Sequence, residues 1–300
     1  MLGSIQTKRS TVHRTNIRRN QMAKKTKEAV VTGPGGVPIK IMEPSFDFLQ
    51  SIQIWQGPPK VGKTSTAAAL GPVAKELGLE GIDPFLMLFE RGSGGVQCHA
   101  TSEECDCGGK KDCPDCEGKG VKRKILSDLA EIREWFEWVA ESDFNPIVID
   151  TTDAMFQAVA DSVCVNIGIG NPSEADHGIA WMQIYDEMRE MLAILSNSGK
   201  SIIMLMHIYM QEKRVKGGSI QTATFNVSGK TKSYLAGLAN QILHFTVEPK
   251  GDGDKHVIIA APLAGVEAGD HWGVFPKELD RGDSPEDGAK AVLECFYEVE

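Results

Sequence analysis

Gly57, Gly62, Lys63 and Thr64 stand at the spacing Gly-x-x-x-x-Gly-Lys-Thr, after an apolar run and before an alanine-rich one. Glycines let a backbone turn tightly and approach phosphate oxygens without a Cβ clash. Amides at a helix N-terminus then face the anion, where the helix dipole favours negative charge. The pattern therefore predicts a phosphate-binding loop, with Lys63 at the β- and γ-phosphates and the Thr64 hydroxyl on Mg²⁺.

The expected ligand of this loop is ATP with Mg²⁺. The predicted nucleotide contacts are Gly57, Pro58, Pro59, Lys60, Val61, Gly62, Lys63, Thr64 and Ser65.

The elements that must position this loop are short apolar runs that alternate with helical patterns. Strands are predicted at 52–56, 85–89, 147–149 and 202–206, with helices between them. Such alternation predicts an α/β fold, with a mostly parallel sheet covered by helices on both faces. In sheets of this kind the ligand lies at the carboxyl ends of the strands.

Three ionisable residues follow the predicted strands at that edge. Asp150 stands where P-loop enzymes hold Mg²⁺, and Glu90 stands where a carboxylate can deprotonate an attacking water. His207 follows the fourth strand, where it could sense the γ-phosphate and pass the signal to the next loop. Lys63, Glu90, Asp150 and His207 are therefore the predicted catalytic residues.

Each of these residues also has a simpler interpretation. Glu90 could be a surface carboxylate paired with Arg91, and His207 a polar residue without a functional role. Asp150 could cap the next helix, although Asp153 is the better candidate for that cap.

Helical patterns supply the expected core. Ser127 is the predicted N-cap of one helix, and Trp181 opens a Met-rich stripe of another that we expect to be buried. Further strands are predicted at 242–247 and 256–261, and a polar loop at about 209–229.

The chain has seven cysteines, and five of them lie between Cys98 and Cys116. A Cys-x-x-Cys pair at 113–116 can bind one tetrahedral metal ion. Because the sequence shows no export signal, a metal site is favoured over disulfides. The predicted Zn²⁺ ligands are Cys105, Cys107, Cys113 and Cys116, with Cys98 or His99 as a substitute. Residues 91–123 are thus predicted to form a small zinc-ribbon-like insertion; free thiols or a redox pair are the alternative.

Charge and composition constrain the partners. The net charge is −9, and residues 1–28 carry eight basic residues against one acidic residue. We expect this tail to be disordered; a transit peptide and a DNA-binding arm are alternatives. The rest of the chain is more acidic still, which argues against a broad nucleic-acid-binding face. No apolar run is long enough to span a membrane, so a cytoplasmic protein is expected, in a bacterial or phage-infected cell.

The predicted organisation has four parts. An extended lead-in at 29–50 follows the tail, the ATPase core occupies 51–262 around the cysteine insertion, and an acidic segment without an assigned role covers 263–300.

The order of the P-loop, Glu90, Asp150 and His207, followed by a loop and Lys230-Thr-Lys232, resembles the RecA-like core of P-loop ATPases. It is particularly similar to short phage nucleotide-binding proteins, related to RecA, that act in single-strand annealing and recombination. The resemblance covers about 45–250. It implies ATP hydrolysis on single-stranded DNA in recombination or replication, by a homo-oligomer that works with recombination or replication proteins.

Three further implications follow from this resemblance. The loop after His207 would bind DNA through Lys213, Arg214 and Lys216, unless these are an ordinary solvated charge run. Lys230 and Lys232 would reach the phosphates of a neighbouring subunit, or else be plain surface lysines. A nucleoside kinase of the thymidine-kinase type and a nucleotide-gated assembly protein with little turnover remain the alternative functions.

Overall fold

The computed structural model describes residues 31–32, 38–39, 46–91, 95–107, 110–117, 119–215, 218–227, 229–250, 253–262 and 265–298. The chain divides into two compact units. One comprises Met1–Glu43 with Tyr297–Glu300, and the other comprises Pro44–Phe296. In the first unit, β1 (Val31–Thr32) and β2 (Pro38–Ile39) pair in antiparallel fashion. The predicted tail at 1–28 lies outside the described residues.

The second unit contains the remaining strands and all of the described helices. Its strands are β3 (Ile52–Gly57), β4 (Phe85–Leu88), β5 (His99–Ala100), β6 (Ser102–Glu104), β7 (Val121–Arg123), β8 (Ile147–Asp150), β9 (Ile202–Val215), β10 (Gly218–Phe225), β11 (Gln241–Lys250), β12 (Gly253–Ile259), β13 (Gly269–Asp270) and β14 (Glu278–Asp280). Its helices are α1 (Lys63–Glu76), α2 (Leu129–Glu141), α3 (Thr152–Ile167), α4 (Ile179–Asn197), α5 (Gly229–Leu238) and α6 (Pro285–Glu294).

One large sheet organises this unit, in the strand order β14-β12-β11-β3-β9-β8-β4-β5. The six strands from β11 to β5 run parallel to their neighbours, whereas β12 and β14 add antiparallel pairs at one edge. The predicted mostly parallel α/β sheet is therefore confirmed. Its central strands are apolar and buried, which is typical of strands covered on both faces.

The helices pack on this sheet through the stripes that the sequence shows. Ile132 and Phe136 of α2, Val159 of α3, and Met188 and Leu192 of α4 are fully buried in one continuous core. Two details of the prediction were wrong: the residue that caps α2 and the burial of Trp181 in α4.

Asp128, and not Ser127, is the N-cap of α2, because its carboxylate accepts the amide protons of Ala130 and Glu131. Trp181, in the first turn of α4, is 38% exposed, although its neighbour Ala180 is fully buried.

The polar loop predicted at 209–229 is a β-hairpin. Strand β9 continues through His207 to Val215, and β10 returns antiparallel to it. The backbone amide of Asn226 donates to the carbonyl of His207 and closes the base of the hairpin. His207 therefore lies within a strand and not at the end of one.

Strand β14 and helix α6 of the C-terminal segment belong to the same compact unit as the sheet. Strand β14 extends the sheet beside β12, and α6 packs against α1. Ala289, Val292 and Leu293 of α6 are buried. A capping box at Ser284 and Asp287 begins this helix, which explains why an acidic sequence forms an ordered element there.

The cysteine insertion follows β4. Its short strands β6 and β7 form a separate antiparallel pair, and β5 adds to the edge of the large sheet. Within the described ranges, no helix is long and apolar enough to cross a bilayer.

Candidate functional site

The predicted phosphate-binding loop connects β3 to α1 at the carboxyl edge of the sheet. Gly62 adopts a left-handed conformation, with φ of 91°, and the helix begins at Lys63. A Cβ atom on Gly57 would overlap the carbonyl oxygen of Phe245 in the neighbouring strand. Both glycines are therefore required by geometry, one for its backbone angle and the other for its close approach to β11.

The rest of the loop is mostly open to solvent. Pro59 and Lys60 are exposed, Pro58 is half-buried, and Val61 is buried. The Ser65 hydroxyl donates to the Gly62 carbonyl at 3.0 Å, which closes the turn into the helix.

Lys63 is held inside this loop. Its Nζ donates to the carbonyls of Gly57 at 3.0 Å and Pro58 at 2.8 Å. Burial lowers the pKa of Lys63 to about 8, although the carboxylates of Asp153, Asp150 and Glu90 act in the opposite direction. An ammonium so surrounded by acceptors is well placed to bind a phosphate anion.

Thr64 and Asp150 meet directly. The Thr64 hydroxyl donates to Asp150 Oδ1 at 3.2 Å, and Asp150 is 1% exposed at the end of β8. Burial, with repulsion from Glu90 as a smaller cause, raises the pKa of Asp150 to about 6. The second carboxylate oxygen, Oδ2, is buried and has no hydrogen-bond partner among the described residues. A hydroxyl and a buried, unsatisfied carboxylate together suit a Mg²⁺ ion, which binds oxygen ligands.

Glu90 lies two residues beyond the end of β4. The amide of Phe89 donates to the carbonyl of Asp150 at 2.7 Å, so the carboxyl ends of β4 and β8 lie next to each other. Within the described residues, the ion-pair partner of Glu90 is His207, at 3.9 Å from Oε1 to Nε2, and not Arg91. The carboxylate thus faces the site instead of forming the surface pair considered from sequence.

His207 is bound by a residue that the sequence had assigned to another role. Asp153 does not cap α3; the cap is Thr151, whose side chain accepts the amide of Ala154. Asp153 instead accepts the backbone amide of His207 at 3.0 Å and contacts its ring Nδ1 at 3.1 Å. The hydrogen bond to Asp153 is the largest cause of the raised pKa of His207. An aspartate in the first turn after a predicted Mg²⁺ ligand was the available signal, but sequence cannot show that α3 faces β9.

A second missed residue lies behind the loop. Arg281, next to β14, is 4% exposed, and its Nη1 contacts the Thr66 hydroxyl at 3.5 Å. A Cβ atom on Gly62 would lie 2.7 Å from the same nitrogen. The guanidinium is therefore packed against the turn that begins α1, and burial lowers its pKa. No local pattern in the acidic C-terminal sequence indicates this contact.

Two further predicted basic residues, Lys230 and Lys232, lie on α5. Lys232 on α5 forms an ion pair with Glu267 at 2.9 Å and contacts Thr224, so it is held within its own chain. Lys230 is exposed and lines a cleft of about 410 Å³ beside Trp181.

The predicted DNA-binding residues belong to the hairpin. Arg214 is exposed near its tip, and Lys213 lies in β9 opposite Ile220. Lys216 lies outside the described residues.

The four cysteines predicted as metal ligands come together. The sulfur atoms of Cys105, Cys107, Cys113 and Cys116 all lie within 4.8 Å of one another. The Cys105–Cys113 and Cys107–Cys116 distances are 3.6 Å and 3.5 Å. A tetrahedral ion with bonds of about 2.3 Å needs sulfur atoms separated by roughly 3.8 Å, so the cluster fits a Zn²⁺ ion.

The two substitute ligands lie outside this cluster. The sulfur of Cys98 accepts from Arg123 Nη2 at 3.6 Å, and His99 pairs with Asp83 at 3.3 Å. Among the described residues, the metal-compatible group contains the four predicted cysteines and neither substitute.

A glycine-rich loop before a helix, its buried lysine and a carboxylate from a parallel strand together define a P-loop nucleoside triphosphatase. A family model described as an AAA domain matches residues 50–272. The protein therefore belongs to this AAA domain family and is a P-loop ATPase.

No curated protein matches the chain. Among solved structures, a KaiC-like protein from the hyperthermophilic archaeon Pyrococcus horikoshii is similar, at 14% identity and a TM-score of 0.42. The match covers 79% of this chain and 88% of that one.

Proposed function

We propose that this protein hydrolyses ATP with Mg²⁺, and that it acts on single-stranded DNA in recombination or replication as a homo-oligomer. The convergence of Lys63, Thr64, Asp150 and Glu90 at one edge of the sheet is the observation that carries the proposal. Lys63 would bind the β- and γ-phosphates, and Thr64 with Asp150 would hold Mg²⁺.

Glu90 is the proposed general base for the attacking water. It lies beside Asp150, so a water next to a metal-bound γ-phosphate would be within its reach. His207 faces Glu90 from the strand that leads into the hairpin, which supports a role in sensing the reaction.

The substitution Glu90→Gln tests the catalytic part of the proposal. It should lower ATP turnover by about 100-fold or more, because removal of a general base typically costs that much, while MgATP affinity stays close to wild type. Steady-state phosphate release and nucleotide titration measure the two effects, with the exposed Glu134→Gln as a matched control. An unchanged rate would remove Glu90 from catalysis, and phosphate transfer to a nucleoside would favour a kinase.

The hairpin formed by β9 and β10 is the proposed DNA-binding element. Arg214 is exposed on it, and cations on a projecting strand pair can contact the phosphates of a single strand despite an acidic body. Fluorescence anisotropy with labelled single-stranded DNA should show salt-sensitive binding that Arg214→Glu weakens. Lys75→Glu, an equal charge change on the exposed end of α1, is the control.

Two results would reject this DNA-binding role. One is the absence of binding at low salt, and the other is the absence of any stimulation of ATP hydrolysis by single-stranded DNA.

The cysteine cluster is proposed to hold a structural Zn²⁺ ion. Four thiolates leave no open coordination position, so the ion would supply folding energy and not catalysis. The short strands β6 and β7 bury little apolar surface, because their residues are exposed or half-buried. A bound metal would therefore supply the folding energy that this small insertion cannot obtain from a core.

A further inference from the structure

The carboxylate of Asp153 contacts both the backbone and the ring of His207. Its Oδ1 accepts the backbone amide of His207 at 3.0 Å, and its Oδ2 lies 3.1 Å from the ring Nδ1. The Asp153 side chain is 8% exposed and that of His207 is 22% exposed. A carboxylate that binds both the backbone and the ring fixes the position of the residue and the orientation of its imidazole.

The paired contact also selects the protonation site of the ring. An ionised carboxylate only accepts hydrogen bonds, so Nδ1 must carry a proton. Burial tends to raise the pKa of Asp153, but the hydrogen bonds from His207 outweigh it and leave the pKa lowered, so the carboxylate is ionised. The other ring nitrogen, Nε2, is then the atom that faces Glu90 at 3.9 Å.

The carboxylate of Asp153 is not the N-cap of α3. Thr151 supplies that cap instead. The charged groups that face His207 are Asp153, Lys63 and Glu90, with Asp150 nearby. The contact therefore lies within the ATPase site and is not a remote surface pair.

The contact between Asp153 and His207 joins α3, which begins at the nucleotide site, to β9, which continues into the hairpin. Helix α3 begins two residues after Asp150, the proposed Mg²⁺ ligand. Strand β9 pairs with β3 at Gly57 and continues from His207 into the hairpin without a break. A shift of α3 at the nucleotide site would therefore be carried into the hairpin through Asp153.

We propose that Asp153 is a positioning residue that couples the nucleotide site to the β9–β10 hairpin by holding His207 with Nδ1 protonated and Nε2 turned to Glu90. This coupling rests on the proposed function, since it assigns the route from bound nucleotide to the DNA-binding element. Asp153 itself does not contact the reacting atoms.

The substitution Asp153→Asn keeps the size of the side chain and reverses the direction of its hydrogen bond with the ring Nδ1 of His207. The amide oxygen can still accept the backbone N–H, but the amide nitrogen is a donor and requires an unprotonated Nδ1. The proton should therefore move to Nε2. Nitrogen-15 chemical shifts of the His207 ring should report this change of tautomer, whereas Asp161→Asn, on the exposed face of α3, should leave the ring unchanged.

Hydrogen exchange measures the coupling without any need for turnover. A non-hydrolysable ATP analogue with Mg²⁺ should change amide protection across 208–225 in the wild-type chain. Asp153→Asn should reduce that change at least threefold when both chains are saturated with the analogue. ATP turnover stimulated by single-stranded DNA should fall at least tenfold, with Asp161→Asn as the control for both.

Two outcomes would overturn the proposal. One is that Asp153→Asn retains the Nδ1-protonated tautomer. The other is that the tautomer changes while the nucleotide-dependent protection of the hairpin remains as in the wild type. If the wild-type chain shows no DNA-stimulated turnover, the proposed function fails, yet the ring shifts and the exchange data still decide the role of Asp153.

Discussion

At the scale of single residues, the site is dominated by carboxylates. Glu90, Asp150 and Asp153 surround the buried ammonium of Lys63, and Asp150 keeps one oxygen without a partner in the described part of the chain. Buried ionised groups destabilise a fold unless they are paired. The arrangement costs stability and retains a binding place for an added cation.

Asp150 provides the first prediction. Its pKa is raised from 3.8 to about 6 in the folded chain, so the folded state disfavours the ionised form. The contribution of protonated Asp150 to the free energy of unfolding is fully present below pH 3.8 and is lost as the pH rises through about 6. Asp150→Asn should therefore stabilise the metal-free chain by about 1–3 kcal/mol at pH 8 and by little at pH 4.

Thermal unfolding in the presence of a chelator, at several pH values, measures this gain. Hydrolysis should be lost in the same variant, because the proposed Mg²⁺ ligand is gone. A gain in stability that does not depend on pH would contradict the assignment.

Gly62 provides the second residue-level prediction. An alanine there would be strained by the left-handed φ and would also meet Arg281 Nη1 at 2.7 Å. Gly78→Ala is a matched control, since Gly78 has φ of +71° but nothing within 4 Å of the added Cβ.

Both variants should lose about 1 kcal/mol from backbone strain. Gly62→Ala should lose more, and it should weaken ATP binding at least tenfold because the loop must shift. If the two variants lowered the free energy of unfolding and the nucleotide affinity equally, the close packing of Gly62 against Arg281 would not affect the loop.

At the scale of elements, a helix outside the predicted core packs against the helix that follows the loop. Helix α6 packs against α1, and Leu293 of α6 is fully buried. Leu293→Ala should cost about 2–5 kcal/mol, as expected for a truncated core leucine. The half-exposed Lys290→Ala on the same helix should change the free energy of unfolding by less than about 0.5 kcal/mol.

Denaturant unfolding of the two variants makes this comparison, and ATP binding should weaken along with stability in Leu293→Ala. Retention of full stability without Leu293 would mean that the C-terminal segment is dispensable for the fold of the ATPase.

The cysteine insertion gives the next prediction. The purified chain should contain about one Zn²⁺ per molecule, because the four clustered sulfurs match one tetrahedral site. Cys116→Ser should lose the metal and lower the unfolding temperature, whereas Cys98→Ser should keep it. Metal analysis with thermal unfolding tests this, and equal zinc loss in both variants would show that the cluster is not the ligand set.

At the scale of the whole molecule, the predicted homo-oligomer can be tested by complementation. Lys230 is exposed, as a residue that acts on a neighbouring subunit must be. If it reaches the neighbour's phosphates, Lys230→Ala and Lys63→Ala should each be inactive alone. An equal mixture should recover roughly one quarter of wild-type turnover, since that share of head-to-tail interfaces joins an intact loop to an intact Lys230.

ATP hydrolysis across a series of mixing ratios provides the measurement. Lys75→Ala mixed with the wild-type chain should follow simple averaging. The absence of recovery would place Lys230 outside any shared active site.

The sequence by itself determined the features that are local. The glycine spacing and the strand before it specify the loop, and the apolar runs specify the central parallel strands. Asp150 could be placed at the site because parallel strands bring their carboxyl ends to one edge. The four cysteines could be grouped because residues at short spacing along the chain tend to lie near one another, although only the structure left Cys98 outside the group.

Only the tertiary structure decided the contacts between distant segments. The stretch after His207 is polar in sequence, yet it forms a hairpin, because β10 satisfies the backbone groups of the extended β9. Asp153 binds His207 across 54 positions, and Arg281 meets Thr66 across 215. Such contacts depend on which elements become neighbours in the sheet, and a pattern that spans a few residues carries no information about that choice.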